Sequence, residues 1–168
     1  MSKPSRKDFL IAPACEGALL LVVGLAGWAT HHPLVFASLG PTAFELIEAP
    51  KRPSAKPYNV IVGHLIGVLA GFTALIITHA WWAPVVSSSG VPLARVWAGV
   101  IAAVITVAVT LLARATQPAA VATTLLVSLG MMQMPRDGVA IMCAVVLMTL
   151  IGEPLRRWRV GTMPEGGE

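Results

Sequence analysis

Charge is what this chain of 168 residues has least of: 12% of its positions are Asp, Glu, Lys or Arg, against roughly 25% in an ordinary soluble domain. That deficit excludes an ordinary solvated surface. With 56% apolar residues and a mean hydropathy of +0.77, it defines an integral membrane protein. Cysteine is scarce as well. Cys15 and Cys143 both lie within apolar runs, which excludes a disulfide framework or a thiolate metal cluster and leaves them as small packing residues. The chain has no Gly-rich phosphate loop, metal-binding helix pair or nucleophile motif. No cofactor, no metal and no enzymatic activity are therefore expected. The pI of about 9.6 comes from cations in the termini and loops, so no nucleic-acid partner is expected either.

What is present is a succession of apolar elements: 9–29, 33–49, 59–81, 95–113, 118–134 and 138–151. The first follows Lys3, Arg6 and Lys7, as a signal peptide would, but it is close to the ~20 residues of a full span. The second, fifth and sixth are short, and the positive-inside rule decides whether they cross. Six crossings place Lys3, Arg6, Lys7, Lys51, Arg52, Lys56, Arg114, Arg156, Arg157 and Arg159 on one side and only Arg95 and Arg136 on the other, a split of ten to two. If elements 2 and 5 merely dipped in and out, the split would fall to seven to five. Six crossings also gather Trp28, Trp81, Trp82 and Trp97 at the outer interface, where aromatic anchors belong.

An internal repeat organises these elements. A shift of 85 residues lays 33–67 on 118–152 with eight identities over 35 positions, including Pro33 on Pro118 and Leu65, Ile66, Gly67 on Leu150, Ile151, Gly152; Ser38 falls on Thr123. Three elements per half is an odd number, so the second half would be inserted upside down. Inverted halves with short or Gly/Pro-interrupted segments at matching positions point to a secondary transporter and to its binding site.

Candidate site residues follow. Gly40 and Pro41 interrupt element 2, and irregular backbone at bilayer depth is tolerated only inside protein or beside a wet cavity. Pro41 and Thr42 would open a half-helix whose free N–H groups favour an anion. Pro118, after Gln117, opens element 5 in the same way, with Gln117 either capping that helix or meeting the solute. Asn59 and His64 lie in the third element, and a histidine at membrane depth demands a partner or water. Ser38, Thr42, Thr123, Thr124 and Ser128 place hydroxyls in the two short elements, either on neighbouring backbone or on a hydrophilic path. Glu16 and Glu45 are also placed at or near membrane depth, both toward the cytoplasmic side, and a pairing with His64 or with the Lys51 and Arg52 cluster is open.

Three blocks carry a family resemblance: Ser38-Leu39-Gly40-Pro41-Thr42; Ala55-Lys56-Pro57-Tyr58-Asn59-Val60-Ile61-Val62-Gly63-His64; and Thr116-Gln117-Pro118-Ala119-Ala120-Val121-Ala122-Thr123. They resemble the HPP family of integral membrane proteins. The family's naming block reads His-Pro-Pro-Ala where this chain has Gln117, Pro118, Ala119 and Ala120. The change keeps the helix-start proline and removes an ionisable side chain. The resemblance implies a small multi-spanning protein, with nitrite transport attributed to plastid and cyanobacterial relatives.

The expectation is an all-α polytopic bundle of six membrane elements, four long or regular and two short or broken, in two inverted halves. Residues 9–154 form one transmembrane domain, with halves about 9–81 and 95–152, between a cytoplasmic segment 1–8 and a cytoplasmic tail 155–168. Its partners would be the lipid bilayer and a small anionic solute such as nitrite, and its place the bacterial inner membrane. Six short helices bury little core, so a homodimer is expected. The alternative is a membrane subunit that packs on a partner and transports nothing. The charge split predicts that, in a Cys-free background, an impermeant maleimide labels Ser88→Cys in intact cells and spares Ser54→Cys; labelling at 54 from outside would overturn six crossings.

Overall fold

The computed structural model describes residues 8–86 and 90–162; Lys3, Arg6, Lys7, Ser88 and positions 163–168 of the tail lie outside the described residues. Six helices carry the fold: α1 (Asp8–Thr30), α2 (Leu39–Glu48), α3 (Pro57–Ile77), α4 (Leu93–Leu112), α5 (Pro118–Ser128) and α6 (Pro135–Thr162). Among the described residues there is no strand. Helices α1, α3, α4 and α6 are long and apolar enough to cross a membrane, whereas α2 and α5 are short.

Local chemistry sets these boundaries. The α1 helix ends where His31 takes a left-handed φ of 55°, while the His32 N–H returns to Gly27 O at 3.1 Å. This αL ending satisfies a terminal carbonyl. Residues 33–36 are not helical, so the interruption of element 2 falls before Leu39 and not at Gly40 and Pro41. Pro41 occupies the first turn of α2, where a missing N–H costs little. Proline also starts α3, α5 and α6, in agreement with its fixed φ. Element 5 is helical only to Ser128, and Gly130, at φ 93°, turns the chain toward α6. The sixth element is longer than its apolar run: α6 passes through Pro154 to Thr162, because Glu153 pairs with Arg156 at 2.6 Å and Arg157 at 2.7 Å along the same helix. Those pairs make a polar last turn stable as helix.

Packing is closest between α3 and α5. A Cβ added to Gly63 would lie 2.7 Å from the Gln117 side chain, one on Gly67 2.6 Å from Ala120 O, and one on Gly71 2.7 Å from Val127. The two helices therefore run parallel, with backbones touching along a stripe of small residues, a common means of helix association in membranes. Helix α4 returns antiparallel against both, and its Thr106 meets α5. On the other side, α2 packs against α1 and α6, where Gly152 receives Leu46. The matched glycines Gly67 and Gly152 thus each face the short helix of the opposite half. The bundle consists of two bodies, α1-α2-α6 and α3-α4-α5, joined where α3 crosses α6 at Gly138, Val68 and Phe72. Trp28, Trp82 and Trp97 are exposed around one end, Lys51, Arg52 and Lys56 at the other.

Gly67→Ala should lower the unfolding free energy in mixed micelles by about 1–3 kcal/mol, since the α5 backbone must move. Gly40→Ala, where a Cβ meets nothing within 4 Å, should be neutral or stabilising by roughly 0.5–1 kcal/mol.

Candidate functional site

The two bodies meet through four polar side chains, all with 0% exposure: Ser38, Thr42, His64 and Thr123. His64 Nδ1 lies 2.7 Å from Thr123 Oγ1, and His64 Nε2 lies 3.0 Å from Thr42 Oγ1. Thr123 Oγ1 is 2.7 Å from Ser38 Oγ, and Thr42 also donates to Ser38 O at 2.9 Å. Positions 38 and 123, which the 85-residue shift aligns, are thus in direct contact. Ser38 precedes α2 without capping it, because its hydroxyl is engaged with Thr123.

Donor accounting gives this cluster more than one satisfied state. With a proton on Nε2, the ring donates to Thr42 and Thr42 donates to Ser38 O, while Thr123, which donates to Ser38 Oγ, leaves Nδ1 without a donor. With a proton on Nδ1 instead, the ring donates to Thr123, Thr123 donates to Ser38, and Thr42 turns from Ser38 O to Nε2. With both nitrogens protonated, the ring donates to both threonines, which keep their bonds to Ser38. A charged ring is then fully hydrogen-bonded but remains an unneutralised buried cation, which is costly.

Other polar groups continue from this centre. Thr124 Oγ1 and Thr106 Oγ1 are 2.7 Å apart, and Thr110 donates to Thr106 O at 2.7 Å. Gln117 caps α5 by accepting from the Ala119 N–H at 3.3 Å, while its buried Nε2 has no hydrogen-bond partner. Asn59 Nδ2 donates to Thr116 O at 3.2 Å. Glu45 lies further toward the lysine and arginine end, and its Oε1 accepts from Ser54 Oγ at 3.0 Å. Ser128 Oγ is buried without a partner.

Of the residues expected at a site, Ser38, Thr42, His64 and Thr123 come together. Asn59 and Gln117 border the junction of α3 with α5. Gly40, Pro41 and Pro118 do not join the cluster. Pro41 and Pro118 are exposed and Gly40 opens on empty space, because helical spacing turns 38 and 42 inward and 41 outward. The first turn of α2 is also a poor anion cradle: Pro41 has no N–H, and the Leu39 and Thr42 N–H groups already bond Phe36 O and Ser38 O. Grooves of about 640 and 570 Å³ lie elsewhere, on the α3–α6 flank around Phe72 and Met142 and near His32 and Arg136.

Sequence reasoning missed two buried arginines. Arg95, counted there as an outer charge, donates to Ala83 O and Gln133 Oε1, each at 2.6 Å, and to Ser128 O at 3.2 Å. Arg159 donates to Ile47 O at 3.2 Å and approaches Glu48 at 3.9 Å. Each holds carbonyls at the end of a short helix. Arg95 carries a usable signal, since an arginine in the first turn of an apolar span needs acceptors. Among the described residues, no group of three or more His, Cys, Asp or Glu converges in a way that could hold a metal.

These features define a polytopic α-helical membrane protein with a buried histidine–hydroxyl centre between two short helices. Residues 1–154 match the family described as HPP, transmembrane region, and the chain belongs to that family. Comparisons with curated proteins and with solved structures give no match.

The coupling within the centre is measurable. A double-mutant cycle of His64→Ala and Thr123→Ala, read by unfolding in mixed micelles, should give an interaction energy of about 0.5–3 kcal/mol, because the two side chains share one network. The pair Thr123→Ala and Thr30→Ala should be additive, since Thr30 bonds only the backbone of its own helix.

Proposed function

We propose that this protein is a transporter or channel for a small solute, an inorganic anion such as nitrite, in the bacterial inner membrane, with both termini cytoplasmic and no catalytic step. The observation that carries the reading is the meeting of Ser38, Thr42, His64 and Thr123 at the junction of two bodies, each of which contributes one short helix. Polar centres in membrane segments mark substrate pathways more often than folding needs. The centre suits an anion in particular. A doubly protonated ring leaves its hydroxyls satisfied and lacks only a counter-charge, which an incoming anion supplies. Gln117 Nε2, a buried donor without a partner beside Gly63, adds a second attachment point. The 85-residue correspondence supports two inverted halves sharing this centre.

The competing reading is a membrane subunit that transports nothing. It draws on the outward face of α2, where Pro41 and Phe44 are exposed; the same face would serve a homodimer.

Purified protein in liposomes should take up one or more of nitrite, nitrate, formate, chloride and bicarbonate above the rate of protein-free liposomes. His64→Ala should abolish that uptake while insertion and helicity persist. Thr42→Asp should do the same by repelling the anion, and normal uptake by Thr42→Asp would place the site elsewhere. Absence of flux for all five solutes would favour the subunit reading.

A further inference from the structure

The carboxyl of Glu45, one turn along α2 from Thr42, is an ionisable group that the preceding reading leaves unused. Helix α2 presents Ser38, Thr42 and Glu45 on one buried face, at spacings of four and three residues, and turns Pro41, Phe44 and Glu48 outward. Glu45 is 9% exposed and its Oε2 is buried with no hydrogen-bond partner. Oε1 accepts from Ser54 at 3.0 Å, and Ser54 is half-buried in the 3-10 turn Pro53–Ala55 between the exposed Arg52 and Lys56. A buried carboxylate oxygen without a partner is an open acceptor, and a proton is the smallest ligand it can take.

The elements around α2 offer few other candidates. Helix α1 carries Asp8 and Glu16, and α5 carries no charge. On α6, Glu153 pairs with Arg156 and Arg157, Arg156 also donates to Pro50 O, and Arg159 donates to Ile47 O. Around the turn lie Lys51, Arg52 and Lys56, and on α3 the ionisable groups are Tyr58 and His64, which reaches α2 at Thr42.

We propose that Glu45 binds the proton that drives solute movement, so that anion and proton cross together. This rests on the transport reading above. A hydronium ion at the Ser54 end loses one O–H proton and becomes water, an O–H bond forms at Glu45 Oε2, and the carboxylate becomes a neutral acid. One turn away, the His64 centre then loses a negative neighbour and accepts an anion more readily. When the anion leaves at the far side, the proton returns to water there.

Two measurements test the assignment in liposomes holding the full-length protein, with nitrite as probe and protein-free liposomes subtracted. For one-to-one coupling, each pH unit of inward proton gradient should raise the steady-state internal-to-external nitrite ratio about tenfold. In Glu45→Gln that response should vanish while nitrite exchange at equal pH continues, and Glu45→Asp should restore it. A Glu45→Gln response equal to wild type, or a wild type that exchanges nitrite without responding, overturns the proposal. Independently of any flux, infrared difference spectra on acidification should show a protonated-carboxyl band in wild type that Glu45→Gln lacks. Persistence of that band in Glu45→Gln overturns the proton site. A wild type that passes no nitrite overturns the nitrite reading and the coupling, while the infrared arm still decides the proton site by itself.

Discussion

A short helix ending within a membrane leaves carbonyls and N–H groups that lipid cannot satisfy, and this constraint governs the arrangement of the molecule. The ends of α2 and α5 are each met from inside the protein. Buried Arg95 collects the carbonyls of Ala83, Pro84 and Ser128, together with the Gln133 amide. Arg156 and Arg159 do the same for Pro50 and Ile47 at the opposite end. Gln133 and Glu48, which approach the two buried arginines, are themselves 85 positions apart. An arginine so fully buried is tolerable because its planar fork reaches several acceptors at once.

Those clamps free the middle of the bundle for side-chain chemistry. With their backbone ends met elsewhere, α2 and α5 can direct hydroxyls at one another and at His64. The result is a closed ring of donors and acceptors with alternative proton arrangements. Replacement of the family's naming histidine by Gln117 leaves His64 as the only imidazole in this centre. Gln117 keeps the capping role of its position and contributes an amide whose second nitrogen has no partner.

Much of this was legible in the sequence, and the reasons differ by feature. Hydropathy gives the long spans because burial in lipid imposes length and composition on them. The contact of Ser38 with Thr123 is legible through the shift of 85, which aligns these two positions. The outward turn of Gly40 and Pro41 is masked by the Gly-Pro pair itself: α2 does gather its apolar residues on one face, but a proline in an apolar run signals a break as readily as a first turn. Helical register decides it, and the register of α2 is fixed by the contacts of Ser38 and Thr42. The buried arginines escape for another reason: counting charges by side treats every cation as solvated, whereas Arg95 and Arg159 are consumed by carbonyls.

Only two connections join α1-α2-α6 to α3-α4-α5: residues 49–56 at the lysine and arginine end and residues 129–134 at the tryptophan end. They act as straps fastened at opposite ends of one seam. Sliding or separation of the bodies would stretch both at once, whereas rotation about the line between them stretches neither. His64 and its hydroxyls lie along that seam. Groups close to such an axis would travel little, so under the transport reading proposed above the centre would stay in place while access to it changed sides.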